Sequence, residues 1–445
     1  MRVLIINTSE QTGGAAIAAG RLTEALRASG VEAEMLVMHK SSQKPYVLEA
    51  GTPLRRKAAF LLERLVIWTA NLFSRKDLFK VSIANTGQHI TSLPAFRQAD
   101  IIHLHWINQG MLSLREIDRI MQAGKPVVWT LHDMWECTAI CHHAYQCRRY
   151  ETQCHHCPFL RLPGRNDLAA RVFRQKERIF SHAPLHVVTV SQWLRQKVEQ
   201  SALLGDKPVT VIPNTLSTTE FTLHEAAAAR RAFGLPVDKQ IILFGAARID
   251  DPIKGFPLLL KSLQQLLRMH PETGSRLHLV LFGGLKSRDR LRDVPVSYTY
   301  LGTVRQTADL SRLYGAADVL VSASYYETFG QTLIEAQACG CVPVAFGGSG
   351  QQDIISHKAN GYLADYLSTR SLAEGIYWAM TEGTHLSRQA LRQTVVSRYA
   401  TPVVAQSYRE LYRSLLHRPE THEEDAESGI VQPTKKPLTI DLKHV

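Results

Sequence analysis

Two glutamates at a fixed separation carry the strongest chemical signal in the chain. Glu327 and Glu335 lie eight residues apart, and the pair Phe329-Gly330 between them precedes an apolar helical pattern. One carboxylate in a loop and one in the second helical turn can share a side of the helix N-terminus. Free amides around Gly330 would face an anion there. Since carboxylates accept hydrogen bonds from hydroxyls, the pattern predicts a site for a phosphorylated ribose and hexose. The alternative is a helix-capping Glu327 and a solvated Glu335.

Two glycine-containing loops after predicted strands could approach the same ligand. Gly13-Gly14 separates the first strand from a helix, so its backbone could lie close to a ligand, although a structural turn fits equally well. The segment 244–255, FGAARIDDPIKG, carries Arg248 and Lys254. Cations at the carboxyl end of a parallel strand can neutralise a pyrophosphate. No G-x-x-x-x-G-K-[ST] pattern occurs, which argues against a P-loop nucleoside triphosphatase.

Cysteines are concentrated in one short segment. Five of the seven fall within 137–157, and such a cluster in a reducing compartment indicates metal binding. Four of these thiolates match the count of a closed tetrahedral zinc site, so we predict structural zinc bracing the neighbouring loop. The predicted ligands are Cys141, Cys147, Cys154 and Cys157. Reduced buried cysteines and redox pairing are the alternatives.

Runs of Val, Ile and Leu, typical of parallel strands buried on both faces, alternate with helical patterns. The predicted strands are 2–7, 101–106, 127–132, 186–191, 209–213, 241–246, 277–282, 298–302, 319–323 and 342–346. The predicted helices are 15–29, 114–122, 168–180, 255–269, 332–339 and 372–380. This alternation predicts an α/β protein with two Rossmann-like, doubly wound domains.

A Ser/Thr-rich segment at 212–221 marks the expected domain boundary. Beyond the last predicted helix the chain is polar, acidic and then basic, which predicts disorder. The predicted units are a first domain at 1–212 with a cysteine-rich insertion at 134–158, a second domain at 213–400, a C-terminal helix at 401–418 that crosses back to the first domain, and a disordered tail at 419–445.

The composition is that of a globular protein with a basic balance. Of 445 residues, 45% are hydrophobic and 21% charged, which is enough to bury a sizeable core. Lysine and arginine number 52 against 40 acids, a formal net charge of +12. Such a charge favours nucleic acid, an anionic membrane surface or phosphorylated small molecules as partners. No nucleic-acid-binding motif is visible, so we expect no nucleic-acid partner.

Basic residues cluster at 54–80, LRRKAAFLLERLVIWTANLFSRKDLFK, where large apolar residues separate them. The pattern predicts a basic amphipathic helix able to rest on anionic lipid. An ordinary surface helix with its apolar face packed inward is the alternative. No apolar run of transmembrane length and no signal-peptide pattern occurs. We therefore expect a cytoplasmic protein, peripheral at the inner face of the plasma membrane.

These motifs resemble those of the family 4 glycosyltransferases, which have the GT-B fold. The E-x7-E block from Glu327 to Glu335 is the most specific match, and the resemblance extends over about 1–417. The chain is also similar to enzymes that build bacterial capsule, colanic acid or O-antigen polysaccharides. Further matching segments are Gly13-Gly14, Thr130-Leu131-His132-Asp133, Ile212-Pro213-Asn214 and Lys254-Gly255.

The resemblance implies retaining transfer of a sugar from a nucleotide-diphosphate sugar to a saccharide or lipid-linked saccharide. The donor would bind the second domain, the acceptor the first, and no catalytic divalent metal is expected. Glu335 would bind the ribose, and Glu327 would hold the donor sugar beside the Phe329 and Gly330 amides. His132 would contact that sugar from the first domain.

The resemblance also assigns the leaving group and the nucleotide surroundings. Arg248 and Lys254 would neutralise the diphosphate as its charge grows, although Arg248 stands six residues before Lys254, where the family usually has five. The remaining residues expected around the donor are Gly13, Gly14, Gly283, Thr303 and Val304.

Two mechanisms would retain the anomeric configuration. A covalent intermediate needs a carboxylate beside the anomeric carbon, for which Glu327 is the candidate. The resemblance favours same-face substitution, in which the leaving phosphate helps deprotonate the acceptor. Two other functions stay open: a zinc-containing nucleic-acid-binding protein, and a phosphorylase or sugar-nucleotide epimerase with the same fold. The first would leave the paired glutamates unexplained.

Overall fold

The computed structural model describes residues 1–417 and contains two parallel sheets. The strands of the first are β1 (Arg2–Ile6), β2 (Glu32–Val37), β3 (Val47–Glu49), β4 (Ile101–Leu104), β5 (Val127–Leu131), β6 (Leu185–Thr189) and β7 (Val209–Val211). Their spatial order is β3-β2-β1-β4-β5-β6-β7, and every neighbouring pair is parallel. The accompanying helices are α1 (Gly14–Ala28), α2 (Pro53–Ala70), α3 (Pro94–Gln98), α4 (Leu114–Met121), α5 (Leu168–Ser181) and α6 (Gln192–Glu199).

The second sheet is also parallel and has six strands. They are β8 (Gln240–Arg248), β9 (Leu277–Gly284), β10 (Ser297–Tyr300), β11 (Val319–Ser322), β12 (Val342–Phe346) and β13 (Tyr362–Ala364). Their order is β10-β9-β8-β11-β12-β13, again all parallel. The helices are α7 (Ala226–Ala232), α8 (Phe256–Met269), α9 (Thr307–Ala316), α10 (Gln331–Ala338), α11 (Thr369–Met380), α12 (Arg388–Tyr399) and α13 (Thr401–Leu416).

The predicted fold class is confirmed, with two doubly wound domains of the Rossmann type. The apolar runs mark the central strands because those strands are buried on both faces, as in β5, where all five residues are buried. Each of the ten predicted strands corresponds to an observed one. The limits proposed for the two domains stay predictions, and the predicted tail lies outside the described residues.

Helix α13 packs against α1 and the first sheet, although it follows the second domain in sequence. Its Tyr408 hydroxyl is 2.9 Å from Thr130 Oγ1 on β5, and its Tyr412 hydroxyl is 2.7 Å from His103 Nδ1 on β4. All four residues are buried. The end of the described chain is therefore anchored in the core of the first domain.

Helix α2 turns charged side chains towards the protein interior and several apolar side chains towards solvent. It buries Arg56, Glu63 and Arg64 while exposing leucines. Glu63 Oε1 accepts hydrogen bonds from the amides of Ile83 and Ala84, at 2.8 and 2.9 Å, so the buried carboxylate satisfies a loop backbone. We define the apolar face of α2 as the exposed side chains of Leu54, Leu61, Leu62, Leu65 and Val66, continued by Leu72, Phe73 and Phe79. No helix among residues 1–417 is long and apolar enough to cross a bilayer.

Candidate active site

A lysine and a glutamate meet where β8 and β11 end. Lys254 Nζ lies 2.6 Å from Glu327 Oε1, and Ser324 Oγ donates to the same oxygen at 3.0 Å. Gly255 has a positive φ of 68°, and a Cβ there would lie 1.8 Å from the carbonyl oxygen of Ala323. Only glycine allows these two loops to approach so closely, which explains its place beside Lys254.

The charge of Lys254 depends on its carboxylate partner. Burial alone would lower the pKa of Lys254, but the Glu327 carboxylate reverses that effect and the pKa is raised. The lysine is therefore cationic at neutral pH. A fixed positive charge at the carboxyl ends of parallel strands suits a diphosphate group.

Glu335 is buried on α10, and both of its oxygens have partners. Tyr314 donates its hydroxyl to Oε2 at 2.9 Å, and Arg21 on α1 donates to Oε1 at 2.7 Å. The structure thus contradicts the alternative of a solvated glutamate. Arg21 belongs to the first domain, so the ion pair joins the two domains, and sequence analysis did not identify it.

The start of α10 faces the start of α1. Gln331 donates from Nε2 to the carbonyl oxygen of Gly14 at 2.8 Å, and Arg21 Nη1 donates to Gln331 Oε1 at 3.3 Å. Gly13 has a φ of 92° and forms the N-cap of α1. The glycine loop predicted to approach the donor therefore lies against the helix that carries Glu335.

The residues between the two glutamates have different surroundings. Gly330, with a φ of 111°, is the N-cap of α10. The Phe329 ring is buried and meets Tyr399 edge-on at 5.8 Å, so only its backbone can face a ligand. Thr328 connects the domains, since its hydroxyl donates to the His132 carbonyl at 2.8 Å and its own carbonyl accepts from Ser191 at 2.7 Å.

His132 is one of three neighbouring histidines. Its Nε2 lies 2.8 Å from His105 Nδ1, and the His105 ring lies 4.3 Å from that of His103. His103 is fixed by Thr130 Oγ1 at 2.8 Å and by the Tyr412 hydroxyl. The sequence signal for this group is the H-x-H spacing of His103 and His105 at the end of β4.

Burial keeps these histidines neutral. It lowers the pKa of His103 to about 3 and that of His132 to about 4, and for His132 the nearby Asp133 opposes the effect only in part. The pKa of His105 is also well below its usual value because of burial. At neutral pH the His132 ring can therefore donate or accept a hydrogen bond without carrying charge.

Asp133 organises the loop that follows His132. Its Oδ2 accepts from Trp106 Nε1 and lies near His142 Nδ1, each at 2.8 Å, while Oδ1 accepts from the Trp135 amide at 2.7 Å. His142 reaches Ser82 Oγ through its second nitrogen at 3.0 Å. This network fixes the beginning of the cysteine-rich insertion beside the cleft.

His143, the next residue of the insertion, faces the second domain. Its ring centroid lies 4.5 Å from that of Tyr326, which directly precedes Glu327. Burial lowers the pKa of His143 to about 4, and both Glu327 and Lys254 are close enough to influence it. Within residues 1–417, its buried Nδ1 has no hydrogen-bond partner.

Arg248 is not brought to the Lys254–Glu327 pair. Its side chain is half exposed at the end of β8, beyond a bulge, and it binds Asp250 Oδ1 through two nitrogens at 3.2 and 3.1 Å. Because Asp250 already holds the guanidinium, a diphosphate would have to compete for it. Its predicted role in the leaving group therefore stays a prediction.

The loops expected around the nucleotide lie at the end of β9. Gly283 has a φ of 122°, and a Cβ there would lie 1.8 Å from the Ala246 carbonyl oxygen. Its amide donates to the Gly302 carbonyl at 2.7 Å. This contact brings the exposed Thr303 and half-buried Val304 to the same edge of the sheet.

The zinc prediction is not supported. The four cysteines line one small cavity of about 20 Å³ and are all free. Nevertheless, among residues 1–417 no group of three or more His, Cys, Asp or Glu side chains is arranged to hold a metal ion. Burial raises the pKa of Cys154 to about 11 and that of Cys157 to about 12, so these are neutral thiols. The arrangement favours reduced, buried cysteines. The predicted ligands were Cys141, Cys147, Cys154 and Cys157.

Two protein-family models match this chain, one over each half. The model described as Glycosyltransferase Family 4 matches residues 12–220, and the one described as Glycosyl transferases group 1 matches residues 226–395. The chain is a GT-B glycosyltransferase. The matches cover strands β2 to β7 of the first sheet, all of the second sheet, and the segment that holds the two glutamates.

Relatives of this glycosyltransferase cover most of its length. An uncharacterized glycosyltransferase from Methanocaldococcus jannaschii is 27% identical over 303 residues, 65% of this chain and 76% of the relative. The D-inositol 3-phosphate glycosyltransferase of Kineococcus radiotolerans is 28% identical over 366 residues, 78% of this chain and 76% of the relative.

Solved structures share its fold. Sucrose-phosphate synthase from Thermosynechococcus elongatus has a TM-score of 0.66 at 20% identity, covering 93% of this chain and 98% of its own. Anabaena HepE in complex with UDP-glucose has a TM-score of 0.60 at 16% identity, covering 93% and 100%. At these identities the likeness establishes the GT-B fold alone.

Proposed function

We propose that this glycosyltransferase transfers a sugar from a nucleotide-diphosphate sugar to a saccharide acceptor during synthesis of a bacterial surface polysaccharide. The observation that carries the proposal is the grouping of Lys254, Glu327 and Glu335 around the start of α10. This group offers one cation for a diphosphate and two carboxylates for hydroxyls. The UDP-glucose bound to Anabaena HepE supports a nucleotide-sugar donor.

Each part of the donor has a proposed partner. The ribose hydroxyls bind Glu335, where they share the carboxylate with Tyr314 or displace Arg21. Lys254 neutralises the leaving diphosphate in the transition state, where such a charge has its largest effect on rate. His132, neutral at pH 7, contacts the transferred sugar from the first domain.

The contacts of Glu327 favour same-face substitution. Its Oε1 already accepts from Lys254 and Ser324, which lowers its nucleophilicity. In this mechanism the bond from the anomeric carbon to the phosphate oxygen breaks as that to the acceptor oxygen forms on the same face. The acceptor proton passes to the leaving diphosphate, so atoms and charge balance, and the configuration is retained.

The stereochemistry can be tested without knowing the acceptor. The protein is incubated with UDP-glucose in water, and the released glucose is followed by proton NMR before mutarotation. Retention yields α-glucose first. Early β-glucose would show that the enzyme inverts, and a covalent glycosyl adduct on Glu327 would overturn same-face substitution.

The acceptor is proposed to be lipid-linked and reached at the cytoplasmic face of the membrane. The support is the apolar face of α2, which exposes Leu61, Leu65 and Phe73 beside exposed basic residues such as Lys57 and Lys76. Apolar side chains rimmed by cations suit the boundary of an anionic lipid leaflet.

Vesicle sedimentation tests this surface. The wild-type protein is expected to sediment with vesicles of phosphatidylglycerol and phosphatidylcholine, whereas Leu61→Glu with Leu65→Glu should remain in the supernatant. Val237→Glu changes a comparably exposed side chain of the second domain and should sediment normally. Equal sedimentation of all three proteins would show that α2 is not the lipid contact.

A further inference from the structure

A cavity of about 410 Å³ lies between the cysteine-rich insertion, α6 and the loop that holds Glu327. Its volume falls within the range of small-molecule sites, which is roughly 300–1,000 Å³. The side chains that give it its chemistry are Tyr145, Tyr150, Trp193, Tyr326, Arg148 and Lys197. The first domain supplies every one of these except Tyr326.

The cavity adjoins the proposed reaction centre through Tyr326. This ring directly precedes Glu327, and its centroid lies 4.9 Å from Trp193 and 6.1 Å from Tyr145. Tyr326 also contacts the ring of His143, and the charges of Lys254 and Glu327 influence the pKa of that histidine. A molecule in the cavity would therefore lie beside the donor loop, on the side of the first domain.

The lining has the aromatic rings and polar groups that suit a saccharide. Aromatic faces attract the partly positive C–H groups of a sugar ring. Lys197 lies over Trp193 at 5.7 Å, and Arg148 is paired with Glu151 at 3.0 Å, so cations and a carboxylate stand at hydrogen-bonding positions around the rings. A pocket with apolar walls and a few polar groups fixes the orientation of its ligand.

We propose that this cavity binds the acceptor saccharide, holding the units next to the one whose hydroxyl is glycosylated. The inference rests on the proposed transfer to a saccharide and names where this chain recognises it. The insertion then has a function of its own, because it supplies Tyr145 and Arg148. Cys147 lines both this cavity and the small cysteine-lined one, so the cysteine cluster and the cavity share a wall.

A printed array of bacterial capsule and lipopolysaccharide glycans tests the cavity with the full-length protein. Tyr145→Ala removes an exposed ring, 47% accessible, and Lys197→Ala removes a cation, so neither opens the core. The matched control is Arg195→Ala, on the same helix, which pairs with Glu199 outside the cavity. Binding of UDP, GDP and ADP, measured by thermal shift, reports the donor site separately.

The wild-type protein and Arg195→Ala are expected to bind the same glycans, whereas Tyr145→Ala and Lys197→Ala should bind them at least about tenfold more weakly. All four proteins should bind UDP equally. Unchanged glycan binding by both cavity variants would overturn the inference, as would a wild-type protein that binds UDP but no glycan. Failure of the wild-type protein to bind any nucleotide would instead refute the proposed function.

Discussion

Acidification should destabilise the first domain through its buried histidines. The pKa of His103 is lowered to about 3 and that of His132 to about 4, against 6.5 for the exposed side chain. Between the folded pKa of each histidine and its unfolded value of 6.5, the unfolded chain binds more protons than the folded one. The stability that depends on these neutral histidines is therefore fully present above about pH 6.5 and is lost as the pH falls. One pKa unit corresponds to about 1.4 kcal/mol.

The expected loss is large compared with ordinary protein stability. At pH 4 His103 and His132 each contribute a loss of about 3 kcal/mol, together about 6 kcal/mol. Whole domains are stable by only about 5–15 kcal/mol. Urea unfolding at pH 7, 5.5 and 4, followed by tryptophan emission, measures the change, since five of the six tryptophans lie within 1–212.

A single substitution separates this effect from general acid sensitivity. His103→Gln can keep a hydrogen bond to Thr130 but cannot be protonated, so its loss between pH 7 and pH 4 should be about 3 kcal/mol smaller than that of the wild-type protein. His182→Gln, at an exposed position, should behave like the wild-type protein. Equal losses in His103→Gln and the wild-type protein would refute the assignment of a buried, neutral His103.

Three further predictions concern the cleft and the cysteine-rich insertion. Lys254→Ala should lower kcat by about 10²–10³-fold, because it removes the cation opposite the leaving group. UDP should still bind to this variant. An unchanged kcat would show that another group neutralises the leaving diphosphate. Glu327→Gln should retain measurable transfer with the same product anomer, and complete loss with a trappable adduct in the wild-type protein would favour the covalent route. Alkylation without prior reduction, followed by mass analysis, should find Cys154 and Cys157 as free thiols in protein purified without oxidant. A disulfide between them would contradict the reduced state.

Most strands were predictable because burial on both faces requires a run of apolar residues. Three strands, β2, β3 and β13, lack such a run. Strand β2 carries Glu32 and Glu34 among its apolar residues, and these charged residues interrupt the run. Strands β3 and β13 have three residues each and lack the apolar continuation that the buried Ile212 gives to the equally short β7. Their places in the sheets depend on pairing with longer neighbours.

The candidate site was predictable where residues close in sequence act together, as Glu327 and Glu335 do. It was not predictable where contact crosses the cleft. Arg21 lies more than 300 residues before its partner Glu335, and no local pattern marks it. The buried charges of α2 were hidden for a similar reason, because Glu63 is buried to satisfy the backbone of residues 83 and 84.

Binding of a nucleotide by the second domain is the central claim, and a thermal-shift comparison of the wild-type protein with Glu335→Ala tests it most directly. UDP, GDP and ADP, with their common sugar conjugates, are added at about a hundred times an expected dissociation constant, where a bound ligand adds roughly 2.7 kcal/mol of apparent stability. We expect one nucleotide to stabilise the wild-type protein and Glu335→Ala to lose that shift. No shift with any nucleotide, or an equal shift in Glu335→Ala, would contradict the proposed donor site.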